Sequence, residues 1–274
     1  MGSYGIKITL HLPSFMAKVI GVDFGAPVPD NVCVELKTAL HKYSILVIRA
    51  TGLDDESHVE FARKFGPLDS ITVPKAAGVK MRIGRASYSI LRAAEVPAAA
   101  VEGNTEFADS RRAWEELPDD WKRELLEKDY EVWHSFWHSR KIDSPGYFYS
   151  LDPTRYPMAR RKLVEQAGGG DYGVSGSSSV MSLCVPSHCY SIEGLGPEES
   201  RAKLDYLYRH ATQDKYVVSV AWENAGDIIM WDNRIVLHRG TPMTGSYKRD
   251  LRRATVLDVS PGAYSMNKIP PDAS

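Results

Sequence analysis

His238, Arg249 and Arg253 are the residues of this chain whose types and spacing could do chemistry together. His238 ends a short apolar run, Ile235-Val236-Leu237. That run follows Ile228-Ile229-Met230-Trp231 and a polar Asp232-Asn233 corner. Asp and Asn suit such a corner because their short side chains hydrogen-bond the neighbouring backbone. A rigid strand could aim the imidazole of His238 into a cavity as a ligand, although the same pattern describes a hydrogen-bonded core histidine. Arg249 lies eleven residues further on and Arg253 four beyond that. If a strand starts at Arg249, then Arg249, Leu251, Arg253 and Thr255 share one face, since side chains alternate. Two guanidiniums on an inward face need anionic partners, and small carboxylates fit an arginine fork. A basic, solvent-facing edge strand is the other reading.

Two other pairs of possible ligands compete with this trio. His58-Val59-Glu60 is the one His-x-Asp/Glu of the chain. It falls in a helix expected from Asp54 or Asp55 to Lys64, where residues i and i+2 diverge and cannot share a metal. His134 and His138 are four apart and would share a face of a helix, which on spacing alone permits zinc. No third ligand is apparent, and the neighbouring Trp133, Phe136 and Trp137 point to packing. Gly168-Gly169-Gly170 lacks the Lys-Ser/Thr that a phosphate loop requires.

The elements that must position these residues follow from periodicity. Ile6–Leu12 and Ala17–Phe24 read as strands, and Ser44–Arg49 as a buried one. Helices are expected from Pro29-Asp30 through Leu40, from Asp109 to Leu117, from Pro118 to Lys128 and from Gly196-Pro197 through His210. Tyr88–Val96, Thr105–Phe107, Met181–Val185 and Tyr216–Trp222 read as strands. The segment between Gly146 and Ser179 is the least legible. With 43% hydrophobic and 25% charged residues, the 274-residue chain can bury a sizeable core. A net charge of −1 provides no field to draw nucleic acid or an anionic membrane, so neither is expected as a partner. Cys33, Cys184 and Cys189 are scattered and odd in number, which fits a reducing cytoplasm better than a disulfide framework. No run reaches transmembrane length and no signal peptide is apparent.

Several ordered segments carry a resemblance. Leu46-Val47-Ile48-Arg49, Phe61-Ala62-Arg63-Lys64-Phe65-Gly66-Pro67-Leu68, Ala86-Ser87-Tyr88-Ser89-Ile90-Leu91 and Thr105-Glu106-Phe107-Ala108-Asp109 come first. Trp231-Asp232-Asn233-Arg234, His238-Arg239-Gly240 and Arg249-x-x-x-Arg253-Ala254-Thr255 close the series. Together they resemble the TauD/TfdA family of iron(II)- and 2-oxoglutarate-dependent dioxygenases. The resemblance implies a mainly β fold with flanking helices, a double-stranded β-helix or jelly roll, as a single domain over 1–274. It implies that His238 is a metal ligand for Fe(II) and the catalytic histidine, and that Thr105 and Arg249 hold 2-oxoglutarate. Arg253 would face an anionic small-molecule substrate, with O2 as the other reactant, and a homo-oligomer is possible. The implied reaction is oxidation of a C–H bond of a carboxylate-bearing substrate by hydroxylation, desaturation or ring closure, with release of succinate and CO2. His188 matches a family histidine that is not a ligand.

One departure from the family pattern is informative. Family members carry a His-x-Asp pair on a strand just before the segment matching Ala86-Ser87-Tyr88-Ser89, whereas this chain passes directly from Gly84 to Ala86 through Arg85. A segment bearing the His and Asp therefore appears to be missing near 84–86. Either the sequence in hand leaves it out, which the match of both flanks favours, or the protein lacks it. In the second case the chain would be a non-catalytic carboxylate-binding relative.

Overall fold

The computed structural model describes residues 6–10, 14–69, 84–97, 102–167, 179–245 and 248–268. Its centre is a six-stranded sheet in the order β1-β2-β3-β12-β4-β14. These strands span Lys7–Leu10, Ala17–Ile20, Ile45–Ile48, Ile228–Asp232, Ala86–Glu95 and Asp250–Leu257. All neighbours are antiparallel except β2 and β3, which helix α1 (Asp30–Tyr43) connects in parallel. Facing this sheet is a three-stranded one, β11-β5-β13, formed by Val217–Val220, Thr105–Asp109 and Val236–Gly240.

Alternation divides the large sheet into two working faces. Leu46, Ile48, Tyr88, Ile90, Ile228, Met230, Ala254 and Val256 point outward beneath α1 and α2 (Asp55–Arg63). Asp54 caps α2 in a reciprocal capping box with Ser57. Ile45, Val47, Ala93, Ile229 and Trp231 point inward and meet Phe107, Val218, Val220 and Val236 of the facing sheet. This inner layer is the interior of the sandwich.

A second body of core lies beneath helices α3 (Ser110–Glu115), α4 (Asp119–Lys128) and α6 (Pro197–Ala211). Its strands are β6 (Glu131–His134), β7 (Ala159–Lys162) and β10 (Cys189–Ile192), in the order β10-β6-β7. β8 (Val164–Ala167) and β9 (Val180–Leu183) pair beside them, so the poorly legible stretch contributes β7 and β8, while β9 falls on the strand expected at Met181–Val185. Ser135 caps the short helix α5 (Phe136–Asp143), its side chain accepting the His138 N–H. His134 therefore ends a strand while His138 lies in a helix, and the shared helix face expected for them does not form. No helix among the described residues is long and apolar enough to cross a membrane.

Candidate functional site

β13 presents His238 on the inner face of the sandwich because Val236, two residues earlier, belongs to the inter-sheet core. His238 is in register with Phe107, and Gly240 with Thr105. Along this face His238 and Thr105 are thus separated by two residues, a rise of about 7 Å. The ring lies 4.8 Å from Trp231 and 6.5 Å from Phe107, centroid to centroid. It opens on a cavity of about 560 Å³ between the two sheets and the β6–β10 region, a volume suited to a small organic ligand. Although its surface is accessible, the imidazole is ringed by protein rather than bathed in bulk water. Burial pushes its pKa down to about 4, helped by the nearby Arg253 charge, so the ring is neutral at ordinary pH.

Arg253 reaches the same cavity from β14. Its neighbours Leu251 and Ala254 belong to the inner and outer layers respectively, which assigns Arg253 to the inner face as alternation requires. Among the described residues no carboxylate lies within ion-pairing distance of it. Burial lowers its pKa, and Asp69 opposes this only through its field.

Arg249 departs from the expected strand, since β14 begins at Asp250 and an irregularity separates Asp250 from Leu251. Its guanidinium lies outside the cavity lining, with Met243 Sδ 3.8 Å from Nη1 and a buried Nε that has no hydrogen-bond partner. Burial alone lowers its pKa, with no anion opposing. The Arg249 stem passes Gly103, where φ is +74° and an added Cβ would lie 2.8 Å from Met243. Only glycine suits that turn. Thr105, two residues later, is buried and accepts a hydrogen bond from Trp222 Nε1 at 3.2 Å. The four residues thus form two groups: His238 with Arg253 in the cavity, and Thr105 with Arg249 at the neighbouring end of the sheets.

Two further histidines line the cavity. His134 is fully buried, its ring 4.9 Å from that of His188, and its Nδ1 has no hydrogen-bond partner among the described residues. Burial, Arg161 and His238 press the His188 pKa down to about 4. Along one wall Arg85 pairs with Glu165 and, at 2.7 Å, with Asp258. Arg234 grips Asp232 through two bonds of 2.8 Å and lies 4.0 Å from Asp258. Arg161 is 4.0 Å from Glu165. Three arginines and three carboxylates thereby cancel. These residues join segments up to 173 positions apart, and no local pattern in the sequence could have connected them.

The iron site implied by the resemblance requires three ligands on one face of the metal. Among the described residues no group of three His, Cys, Asp or Glu side chains could share a metal ion. The sequence from 70 to 85 contains none of these residue types. His58 is spent on a 3.1 Å hydrogen bond with the Ile90 carbonyl beneath α2, while Glu60 on the same helix is exposed. His138 Nε2 accepts from Arg201 at 3.3 Å, away from His134. Of the three expected ligands the described residues supply His238, so they do not fit a complete iron site.

Comparison with known proteins agrees with the fold. Residues 81–255 match the family model described as Taurine catabolism dioxygenase TauD, TfdA family. The alpha-ketoglutarate-dependent 2,4-dichlorophenoxyacetate dioxygenase of Cupriavidus pinatubonensis is 31% identical, covering 91% of this chain and 96% of its own. The (S)-phenoxypropionate/alpha-ketoglutarate-dioxygenase of Sphingobium herbicidovorans is 29% identical, over 86% and 89%. The crystal structure of AAD-2 in complex with Mn(II) and N-oxalylglycine superposes with a TM-score of 0.78. It is 30% identical, covering 94% of this chain and 99% of that one. The Cupriavidus alignment runs over 290 positions but takes in only about 249 of the 274 residues here, which leaves about 41 positions of that relative without a counterpart. The fold is that of the jelly-roll dioxygenases, and the chain belongs to the TauD/TfdA family, whose cofactor is iron(II) and whose cosubstrate is 2-oxoglutarate.

Proposed function

We propose that the cavity receives a small carboxylate-bearing substrate at Arg253, and that Arg249 and Thr105 hold 2-oxoglutarate at the adjoining end of the sheets. The observation that carries this reading is a guanidinium with no ion-pair partner among the described residues, on an inward strand face that shares its cavity with His238. The Arg253 guanidinium is accessible from the cavity with its hydrogen-bonding capacity free, and a carboxylate ligand can take up that capacity as a two-point hydrogen-bonded pair. Relatives named for phenoxyacetate and phenoxypropionate chemistry support an aryloxy acid as the ligand class.

With the His-x-Asp pair that this sequence lacks, iron(II) would supply the oxidising chemistry of this family, in which 2-oxoglutarate is converted to succinate and CO2. His238 is the residue of this chain that would face it. The chain's own residues account for binding and orientation: Arg253 fixes the carboxylate, and the Trp231 and Phe107 rings form an apolar wall beside His238. A C–H bond of the substrate turned toward His238 would be the one oxidised, whether to an alcohol, an alkene or a ring.

Calorimetric titration of two single variants tests the assignment. Arg253→Ala should weaken phenoxyacetate by about 30-fold, equivalent to about 2 kcal/mol, and leave N-oxalylglycine within threefold. Arg249→Ala should do the reverse. Exchange of the two effects would invert the assignment, and unchanged binding of both ligands in both variants would refute it.

A further inference from the structure

We infer that this chain binds its small organic carboxylate without a metal ion, through Arg253 and the imidazoles of His188 and His238, which line one cavity. The inference rests on the placement of the carboxylate at Arg253 proposed above, and it goes beyond it by removing the metal from the binding step.

The first support is the ligand set. A divalent ion held by His238 alone, with water in its remaining positions, has neither the affinity nor the fixed geometry of a three-ligand site. The stretch from 70 to 85 offers no further donor of the kinds that bind iron, and no described group of three such side chains converges elsewhere. About 41 positions of the Cupriavidus relative have no counterpart, so the difference is larger than the exchange of two side chains.

The second support is the distribution of charge. In a metal enzyme the ion is often the largest positive charge of its site. Here the arginines along one wall are already matched, Arg85 by Glu165 and Asp258, and Arg234 by Asp232. Arg253 has no such match, and its charge faces the same hollow as the His238 ring. The positive charge that a bound carboxylate needs is therefore supplied by the protein.

The third support is the chemistry of the imidazoles. His188 and His238 line one cavity, and a charge on either disfavours a charge on the other. As neutral rings each offers one N–H donor and one acceptor nitrogen. A carboxylate seated at Arg253 can take a donated hydrogen bond from His238, while an ether oxygen or other acceptor further along the ligand meets His188. An aryl group between them would lie beside Phe107, which lines the cavity and packs edge-on against Trp231 behind it, and this gives the site its preference for aromatic acids.

The test uses the full-length chain and three measurements. Phenoxyacetate is titrated by calorimetry in EDTA and again with excess Mn(II), and Mn(II) binding is followed separately by the loss of its free-ion EPR signal. Equal phenoxyacetate affinity in the two conditions, within threefold, is expected, together with no stoichiometric uptake of Mn(II). Arg253→Gln should lower affinity at least tenfold in EDTA with an unchanged melting temperature, and Arg253→Lys should recover only part of it. Phenoxyacetate affinity that rises tenfold or more with Mn(II), or one tightly bound Mn(II) per chain, would overturn the inference while leaving the Arg253 site intact. Failure of phenoxyacetate to bind in either condition would overturn both.

Discussion

Two sets of arginines lie within one cavity's reach and have opposite fates. Arg85 and Arg234 are sunk among Glu165, Asp232 and Asp258, with side chains less than a tenth exposed on both sides of every pair. Arg253 and Arg249 have no carboxylate partner among the described residues, and one faces the cavity while the other borders it. The first set is closed to any ligand because its hydrogen-bonding capacity is already used by the protein. The second retains that capacity. The matched arginines are buried and the unmatched ones are more accessible, so neutralisation and enclosure together close the first set to a ligand.

Breaking a matched pair should produce the largest effect. Asp258 serves Arg85 directly and Arg234 through its field, and these cations hold its carboxyl below the usual range against the opposing effect of burial. Asp258→Ala would strand Arg85 with Glu165 alone and leave Arg234 with Asp232. We expect a loss of about 3 to 5 kcal/mol, measured by urea unfolding, as for other buried pairs deprived of one partner. Phenoxyacetate affinity of the remaining folded protein should be unchanged. A loss below 1 kcal/mol would mean that the network does not support the fold.

Acid should act on the same contrast from the unmatched side. His188 and His238 have pKa values depressed to about 4, and His41, His58, His134 and His138 are shifted in the same direction by burial. An unfolded histidine takes up its proton near pH 6.5, so below that pH the unfolded state binds more protons than the folded one. Stability should therefore be full above about pH 7 and should fall as the pH drops from 6.5 toward 4, chiefly through His188 because solvent screens the exposed His238, by on the order of 2 kcal/mol. Asp258, with its lowered carboxyl pKa, adds a further loss only below the ordinary carboxylate range. Urea melts at pH 7, 5.5 and 4.5 check this, and His188→Gln should flatten part of the decline. Equal stability at the three pH values would contradict the neutral, enclosed imidazoles.

How far these groups were legible depended on the range of the interactions that place them. The position of His238 follows from a local pattern, an apolar strand after an Asp-Asn corner, and strand alternation carries Arg253 to the inner face. The capping box at Asp54 and the divergence of His58 from Glu60 are likewise properties of a few neighbouring residues. The pairing of His134 with His138 was misread because Ser135 starts the helix between them, and a hydroxyl that caps looks the same in sequence as one that does not. Arg249 fell just outside its strand, since the irregularity at Asp250 depends on the partner strand β4. The matched arginines could not be foreseen at all. Arg85 meets Glu165 and Asp258 across 80 and 173 residues, and only the completed fold brings them together.

The smallest expected effect comes from turning a matched arginine into an unmatched one. Arg239, at the cavity lining, donates from Nε to Glu106 Oε2 at 2.7 Å, but its side chain is 71% exposed. Exposed pairs of this kind contribute little, so Glu106→Gln should change stability by less than about 1 kcal/mol. The same substitution frees a guanidinium on the cavity without altering Arg253. Phenoxyacetate should then bind about two- to threefold more tightly at low ionic strength, and the gain should shrink as salt rises toward 0.5 M because the added charge is solvated and screened. Calorimetric titrations of wild type and Glu106→Gln at two salt concentrations distinguish this from repacking, which would not respond to salt. Weaker binding in the variant would show that Glu106 positions Arg239 for the ligand instead of holding it back, and would move Arg239 into the group of arginines that serve the site.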